Sequence, residues 1–204
     1  MGLYSQYIFP CLCELALNTE AVAKHRHELL VQAEENILEI GFGTGLNLPH
    51  YPERVHRLTI VDPNSGMHRL ALKRIQQRGI EIHHRLLSSE KLPFERATFD
   101  CVVSTFTLCS IEDVNQATGE VYRVLKPGGK FLFLEHGLSP EPKVQRWQHR
   151  LNWLQKRIGD GCNLNRNIKE LITAQPFLSV AIDECYLEKT PKTHGYLYQG
   201  VATR

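Results

Sequence analysis

The stretch NILEIGFGTGLNLPHY, Asn36 to Tyr51, opens with a short apolar run, Ile37, Leu38 and Ile40, interrupted by Glu39. Three glycines follow at alternate positions, Gly41, Gly43 and Gly45. An apolar run ending in glycines reads as a buried strand entering a tight turn. Glycine suits such a turn because the backbone needs unusual dihedrals and a ligand must approach bare main chain. A helix is expected from about Leu46, where free N–H groups and a positive dipole end would favour an anion. The pattern is a strand–loop–helix cradle for a nucleotide.

Spacing narrows which nucleotide. A dinucleotide fingerprint, G-x-G-x-x-G, would need glycine at position 46, where Leu46 stands. A P-loop would end in Gly-Lys-Ser/Thr, a triplet that does not follow these glycines. What remains is E-x-G-x-G-x-G, with Glu39 two residues ahead of the first glycine. Downstream, LTIVDPNS is a second buried-strand run ending at Asp62 and Pro63, where an acid can grip ribose hydroxyls. The glycine loop carries no Lys or Arg, so it suits a ligand without pyrophosphate. A zwitterionic amino acid joined to a nucleoside fits, and its cation would favour Glu39 nearby.

Four segments, LEIGFGTG, VDPN, LPFERATFDCVVSTFTLCSI and VYRVLKPGGKFLFLEHG, resemble in order and spacing the motifs of the class I S-adenosylmethionine-dependent methyltransferases. The similarity covers about residues 30–140. The head YSQYIFPCLCELAL and the tail DGCNLNR…HGYLYQGVATR are similar to bacterial relatives of the methyltransferase-like alkyl-thiol methyltransferases. The resemblance implies an α/β fold: a doubly wound, Rossmann-like, mostly parallel seven-stranded sheet with the last strand antiparallel, helices on both faces and a helical N-terminal cap. It implies a single domain over residues 1–204, with residues 1–35 as cap and 36–204 as cofactor-binding and catalytic core. It also implies S-adenosyl-L-methionine as cofactor and methyl transfer to a small-molecule acceptor, foremost a thiol sulfur. A phospholipid or quinone-type methyltransferase and a non-catalytic cofactor-binding regulator are the alternatives.

Composition agrees with one ordinary globular domain: 204 residues, 42% hydrophobic and 23% charged. A net charge of +2 gives no reason to expect a nucleic-acid partner. No apolar run reaches the ~18 residues a membrane-spanning helix needs, which leaves peripheral membrane contact as the membrane option. The N-terminus lacks a basic n-region and soon meets Glu14, unlike a secretory signal. Six irregularly spaced cysteines suggest reduced thiols in a cytoplasmic protein. Nothing sets a number of copies.

Along the chain, residues 1–35 read as two short helices joined near Asn18 or Thr19, the second with Val22, His25 or Arg26, Leu29 and Leu30 on one face. Tyr4, Tyr7, Ile8 and Phe9 form a candidate aromatic lid over the site, or pack in the core. The pair Cys11 and Cys13 lacks a partner pair at ligand spacing, so no metal site is expected. SGMHRLALKRIQQRG reads as a helix closed by Gly79. In the resembling family aspartate commonly stands where this chain has Ser88, bonding the adenine amino group; here Ser88, with a weaker contact, and Ser89 and Glu90 beside it are the candidates for that role.

The strand near Asp100–Thr105 runs into a loop whose Thr105, Phe106 and Thr107 should face the methionine part of the cofactor, because ligands bind beyond the C-terminal ends of parallel strands. Cys109 is a candidate pocket thiol, or a routine buried small residue. Glu135 and His136 end the next strand, and His136, with a free pKa near ~6.5, is the candidate general base. A helix follows with Trp147, Leu151 and Leu154 on an expected core stripe and Trp153 off it, a candidate pocket wall. Cys162 and Arg166 are candidates to reach the substrate, and Asn165 is expected to cap the next helix. No metal is called for by this chemistry.

Overall fold

A computed structural model of the chain describes residues 2–204, His68 by its backbone alone. Strand β1 (Ile37–Ile40) is buried along its whole length and pairs in parallel with β2 (Arg57–Val61) and β4 (Phe99–Thr105). Strand β3 (Glu81–Arg85) flanks β2 at one edge. On the other side β5 (Leu125–His136) runs parallel to β4, and the hairpin of β6 (Ser179–Tyr186) and β7 (Tyr196–Thr203) closes the sheet. The order is β3-β2-β1-β4-β5-β7-β6, with β7 antiparallel to both neighbours. This is the doubly wound sheet expected.

Among the described residues, four helices pack on the two faces of the sheet, and a further one caps its ligand-binding edge. Leu29 and Leu30 of α2 (Glu20–Leu30) and Ala71 of α3 (Ser65–Arg78) pack with Ile37, Leu58 and Ile60 on one face. Val114, Val121 and Val124 of α4 (Val114–Val124) and Ile168 and Ile172 of α6 (Ile168–Thr173) pack with Leu38, Phe131 and Phe133 on the other. Each such side chain removed from water contributes about 1.5–3 kcal/mol. The cap is a π-helical turn, Tyr4–Ile8, running into α1 (Phe9–Leu17). Thr19 caps α2 through the amide of Val22, and Gly79, at φ 66°, ends α3 as expected.

Three local expectations fail for identifiable reasons. Only a 3₁₀ turn, Leu48–His50, follows the glycines, not an α-helix from Leu46. Tyr51 precedes Pro52 and is forced extended, which stops the turn. Asn167, not Asn165, caps α6, accepting from the amide of Glu170. In α5 (Pro142–Ile158) the buried positions are Val144 and Gln148. Trp147 and Leu154 of the supposed core stripe lie at 56% and 40% exposure.

Register fixes where the site must be. Ile40 pairs with Val61 and Ser104, and Thr105 with Leu134, so Gly41, Asp62, Thr105 and Glu135 emerge at one edge of the sheet. Chain order reverses between β1 and β4, the crevice where such sheets bind ligands.

Candidate active site

Gly41 leaves β1 at φ 67°, and a Cβ there would stand 2.1 Å from the Thr107 hydroxyl. No L-side chain fits without moving that loop. Gly43 also has positive φ, at 58°, and a Cβ on it would meet nothing closer than 3.9 Å, because it faces open space. Its amide donates to Asp62 Oδ2 at 2.8 Å, and the Asn64 amide donates to Asp62 Oδ1 at 2.7 Å. The Asp62 carboxylate thus ties the glycine loop to the start of α3.

Behind the loop lies a buried polar network. Arg26 of α2 donates to Asn47 and, at 2.8 Å, to Thr105 Oγ1. Asn47 donates to Glu39 at 2.8 Å, and Tyr51 donates to Glu39 at 2.7 Å. Burial pushes the Glu39 carboxyl up to about 7 against these hydrogen bonds and Arg26. Burial likewise brings Arg26 down to about 10, opposed by Glu39. The Arg26 guanidinium lies 5.4 Å from the Phe106 ring centroid. Phe106 itself has φ 53°, a conformation that costs a non-glycine residue about 1–3 kcal/mol. Strain of this kind gathers at ligand sites.

These elements surround a cavity of about 470 Å³. Gly41, Gly43, Asp62, Pro63, Ser88, Ser89, Glu90, Thr105, Phe106 and Thr107 line it. The cap closes it with Ser5, Phe9, Cys13 and Leu17. Ser5 Oγ donates to Asp160 at 2.7 Å, Asn64 donates to the Ser5 carbonyl at 2.8 Å, and Glu14 accepts from Thr44 at 2.7 Å and pairs with Arg74. Ser88 and Glu90 bond each other at 3.2 Å, and Glu90 caps the Asp113 amide at 2.8 Å. The volume, the bare backbone at Gly43 and the Asp62 carboxylate fit an adenosyl group. Arg26, the lining cation, is committed to protein partners, which suits a ligand without phosphate.

On the far side of Phe106 a second cluster forms. Glu135 accepts from Ser104 at 2.7 Å and from the amides of Thr107 and Leu108 at 2.9 and 3.2 Å, fixing the loop after β4. His136 Nε2 stands 3.1 Å from Cys162 Sγ, and its ring stacks on Phe106 at 6.4 Å between centroids. Cys109, His136 and Cys162 are all buried, with ligand atoms within 4.8 Å of one another. The contact with Cys162, helped by His136, holds the Cys109 thiol well below its ordinary range, and the same contact pushes Cys162 up. Burial opposes charge on His136, but Cys109 outweighs it and raises that pKa.

The candidate residues therefore divide. Glu39 and Gly45 do not line the cavity; Glu39 anchors the network behind it. His136 and Cys109 sit behind the cavity wall. Arg166 donates to the carbonyls of Leu108 and Ile111, holding the loop, and does not line the cavity. Of the expected lid Phe9 lines the cavity, beside Ser5, Cys13 and Leu17, whereas Tyr7, Ile8 and Trp153 lie outside, 52%, 54% and 63% exposed. Arg26, Cys13 and Asp160 escaped the reading of the sequence as site residues. For Arg26 a signal existed: a charged side chain on the apolar stripe of Val22, Leu29 and Leu30.

Comparison with known proteins agrees with this architecture. A methyltransferase-domain family matches residues 38–133. A thiol S-methyltransferase of Rattus norvegicus is 33% identical over 154 residues, covering 74% of this chain. The chain spans 63% of that relative's length. A phosphatidylethanolamine N-methyltransferase of Cereibacter sphaeroides is 28% identical over 79% of this chain and 76% of its own. The crystal structure of a methyltransferase from Thermotoga maritima, described as a possible histamine N-methyltransferase, superposes with TM-score 0.67 at 18% identity, covering 98% of this chain and 97% of its own. With the parallel sheet, the reversal between β1 and β4 and the Gly41–Asp62 cradle, these matches mark residues 38–133 as a methyltransferase domain of the S-adenosylmethionine-dependent kind.

Proposed function

We propose that the protein transfers a methyl group from S-adenosyl-L-methionine to the sulfur of a small apolar thiol. When bound, the cofactor supplies a methyl already activated on a sulfonium. The chain's work is then to hold the acceptor in line and exclude water. Gly41, Gly43 and Asp62 hold the nucleoside part in this reading, and Thr105, Phe106 and Thr107 face the reacting end.

One observation carries the choice of sulfur: among the described residues, no histidine, lysine or tyrosine lines the cavity. A hydroxyl acceptor needs a strong base beside it, whereas a thiol with pKa near ~8.5 already supplies some thiolate at neutral pH. The Cys109–His136–Cys162 cluster, one ring behind the cavity wall, is where we assign activation of that thiol. The similarity to a thiol S-methyltransferase supports the same acceptor class. A screen with labelled S-adenosylmethionine over alkyl thiols, amines and hydroxyls tests it. Methylthioether product is expected; product from amines or hydroxyls alone overturns it. Cofactor binding without turnover on any acceptor would favour a regulatory role.

A second reading, methylation of a lipid headgroup or quinone, rests on the surface. Helix α5 contains Lys143, Arg146, Arg150, Lys156 and Arg157 and no acid. It exposes Trp147, Trp153 and Ile158, and the cap exposes Tyr7, Ile8, Leu12 and Leu15. Such a face suits peripheral contact with an anionic membrane, although among the described residues no helix is long and apolar enough to cross one. Methylated phosphatidylethanolamine formed on anionic vesicles, with no thiol product, would favour this reading.

A further inference from the structure

We infer that Cys109, His136 and Cys162 form a three-ligand site for zinc or a similarly thiophilic divalent ion, with a fourth position open to the acceptor thiol. The fourth position rests on the thiol reading above; the three-ligand site stands on geometry alone. Zinc binds sulfur at about 2.3 Å and imidazole at about 2.0–2.1 Å, so a tetrahedron spaces its ligand atoms about 3.5–3.8 Å apart. Here the three atoms lie within 4.8 Å of one another, with His136 Nε2 and Cys162 Sγ at 3.1 Å. Shifts of up to about an ångström bring the three atoms onto that spacing. Two thiolates and an imidazole select a soft metal over magnesium or calcium.

The ligands are also pre-positioned, although they come from three separate segments. The Asn163 amide and Asn163 Nδ2 each donate to the Cys109 carbonyl at 2.9 Å, fastening the Cys162 loop to the Cys109 loop. Glu135, next to His136, holds the amides of Thr107 and Leu108. No segment can swing away without breaking bonds to another. Cys162 and His136 each keep 8% exposure, so the cluster is not sealed. Ser110, which lines the cavity, has its hydroxyl 3.5 Å from Cys109 Sγ. The cluster therefore lies one side chain from the cofactor space.

Three protein ligands and one free position are the plan of a catalytic zinc site. On binding, Cys109 and Cys162 release their protons to solvent, and an acceptor thiol entering the fourth position does the same, because coordination deprotonates thiols. The acceptor sulfur then forms its bond to the methyl carbon while the sulfonium S–C bond breaks, that electron pair staying on the cofactor's sulfur. In this arrangement His136 is a ligand, and the ion performs the task of a base.

The test uses the full chain, purified reduced and dialysed against zinc alone. One zinc per chain is expected by mass spectrometry of the metal. Cobalt substitution should give thiolate-to-cobalt charge-transfer absorption that shifts on adding a small alkyl thiol. Cys109→Ser and Cys162→Ser should each weaken zinc binding at least about 100-fold, more than loss of an outer partner does. Cys185→Ser on β6 should leave it unchanged. Calorimetry with S-adenosylhomocysteine on each variant separates loss of the site from loss of the fold, and the cobalt spectrum of the unaltered chain needs no variant. Absence of stoichiometric zinc, retention by both serine variants, or a Cys109–Cys162 disulfide in its place overturns the site. Zinc-free protein that methylates thiols at full rate overturns the open position, leaving the proposed function and the three-ligand site standing. Zinc bound with no thiol shift and no thioether product overturns the open position and the thiol reading, leaving the three-ligand site.

Discussion

The two sides of Phe106 are built on different plans. On the cofactor side, Gly41, Gly43 and Asp62 follow two adjacent parallel strands, and the two glycines offer bare backbone to the cavity. On the other side, Cys109, His136 and Cys162 come from two loops and a strand end brought together by the sheet. The first is a short-range motif that any sequence with the same spacing would form. The second exists only once β4, β5 and the loop after α5 have assembled. In the proposed reading, binding of the cofactor is encoded locally and treatment of the acceptor globally.

The largest expected effect challenges the claim that the cofactor side stands on its local motif. Arg26→Met removes the cation beside Glu39, Asn47 and Thr105 and should cost about 3–5 kcal/mol in denaturant unfolding. A loss under 1 kcal/mol would mean the network behind the loop is dispensable. Next, His136→Ala should lower methyl transfer to a thiol about 100-fold or more, while affinity for S-adenosylhomocysteine stays within about twofold. An unchanged rate would remove His136 from the chemistry and dissolve the division between the two sides.

Gly41→Ala should do the reverse. Positive φ and the Thr107 contact should cost about 1–3 kcal/mol, read as cofactor binding weakened at least about tenfold by calorimetry. Smaller is the pH dependence from Glu39, whose folded pKa of about 7 exceeds its ordinary 4.5. The folded chain holds this proton more tightly than the unfolded one, so the contribution is full below pH 4.5 and is lost as pH rises through 7. Glu39→Gln should flatten that fall in stability curves over the same window; an identical slope would assign it to other groups. Smallest is Trp153→Ala, which should leave cofactor affinity and stability unaltered within about 0.5 kcal/mol, since the side chain is 63% exposed.

Legibility of the sequence follows the same division. The glycine loop, Asp62 and the strand ends at Thr105 and His136 were readable because each is a local pattern of apolar run and turn. The helix expected at Leu46 was misread because Pro52 constrains Tyr51 against it. Glu39 was expected to meet the ligand, but an acid inside a fully buried strand must satisfy its oxygens within the protein, as it does through Asn47 and Tyr51. Trp147 and Leu154 follow helical periodicity yet lie at the surface; a stripe shows that a helix is two-sided, not what covers it. Cys109 and Cys162 stand far apart in sequence, and no local pattern announces that they meet.

Above the cofactor space, the cap is clasped by polar contacts: Ser5 to Asp160, Asn64 to the Ser5 carbonyl, Glu14 to Thr44 and Arg74. Water can replace the part-exposed ones at small cost, so the roof lifts more readily than the buried network behind the glycine loop rearranges. A guest as bulky as an adenosyl amino acid cannot leave while the roof is shut. The cap joined to α2 through Asn18 and Thr19 is the element that must move for such a guest to enter or leave, and lid opening of this kind limits the rate in many enzymes.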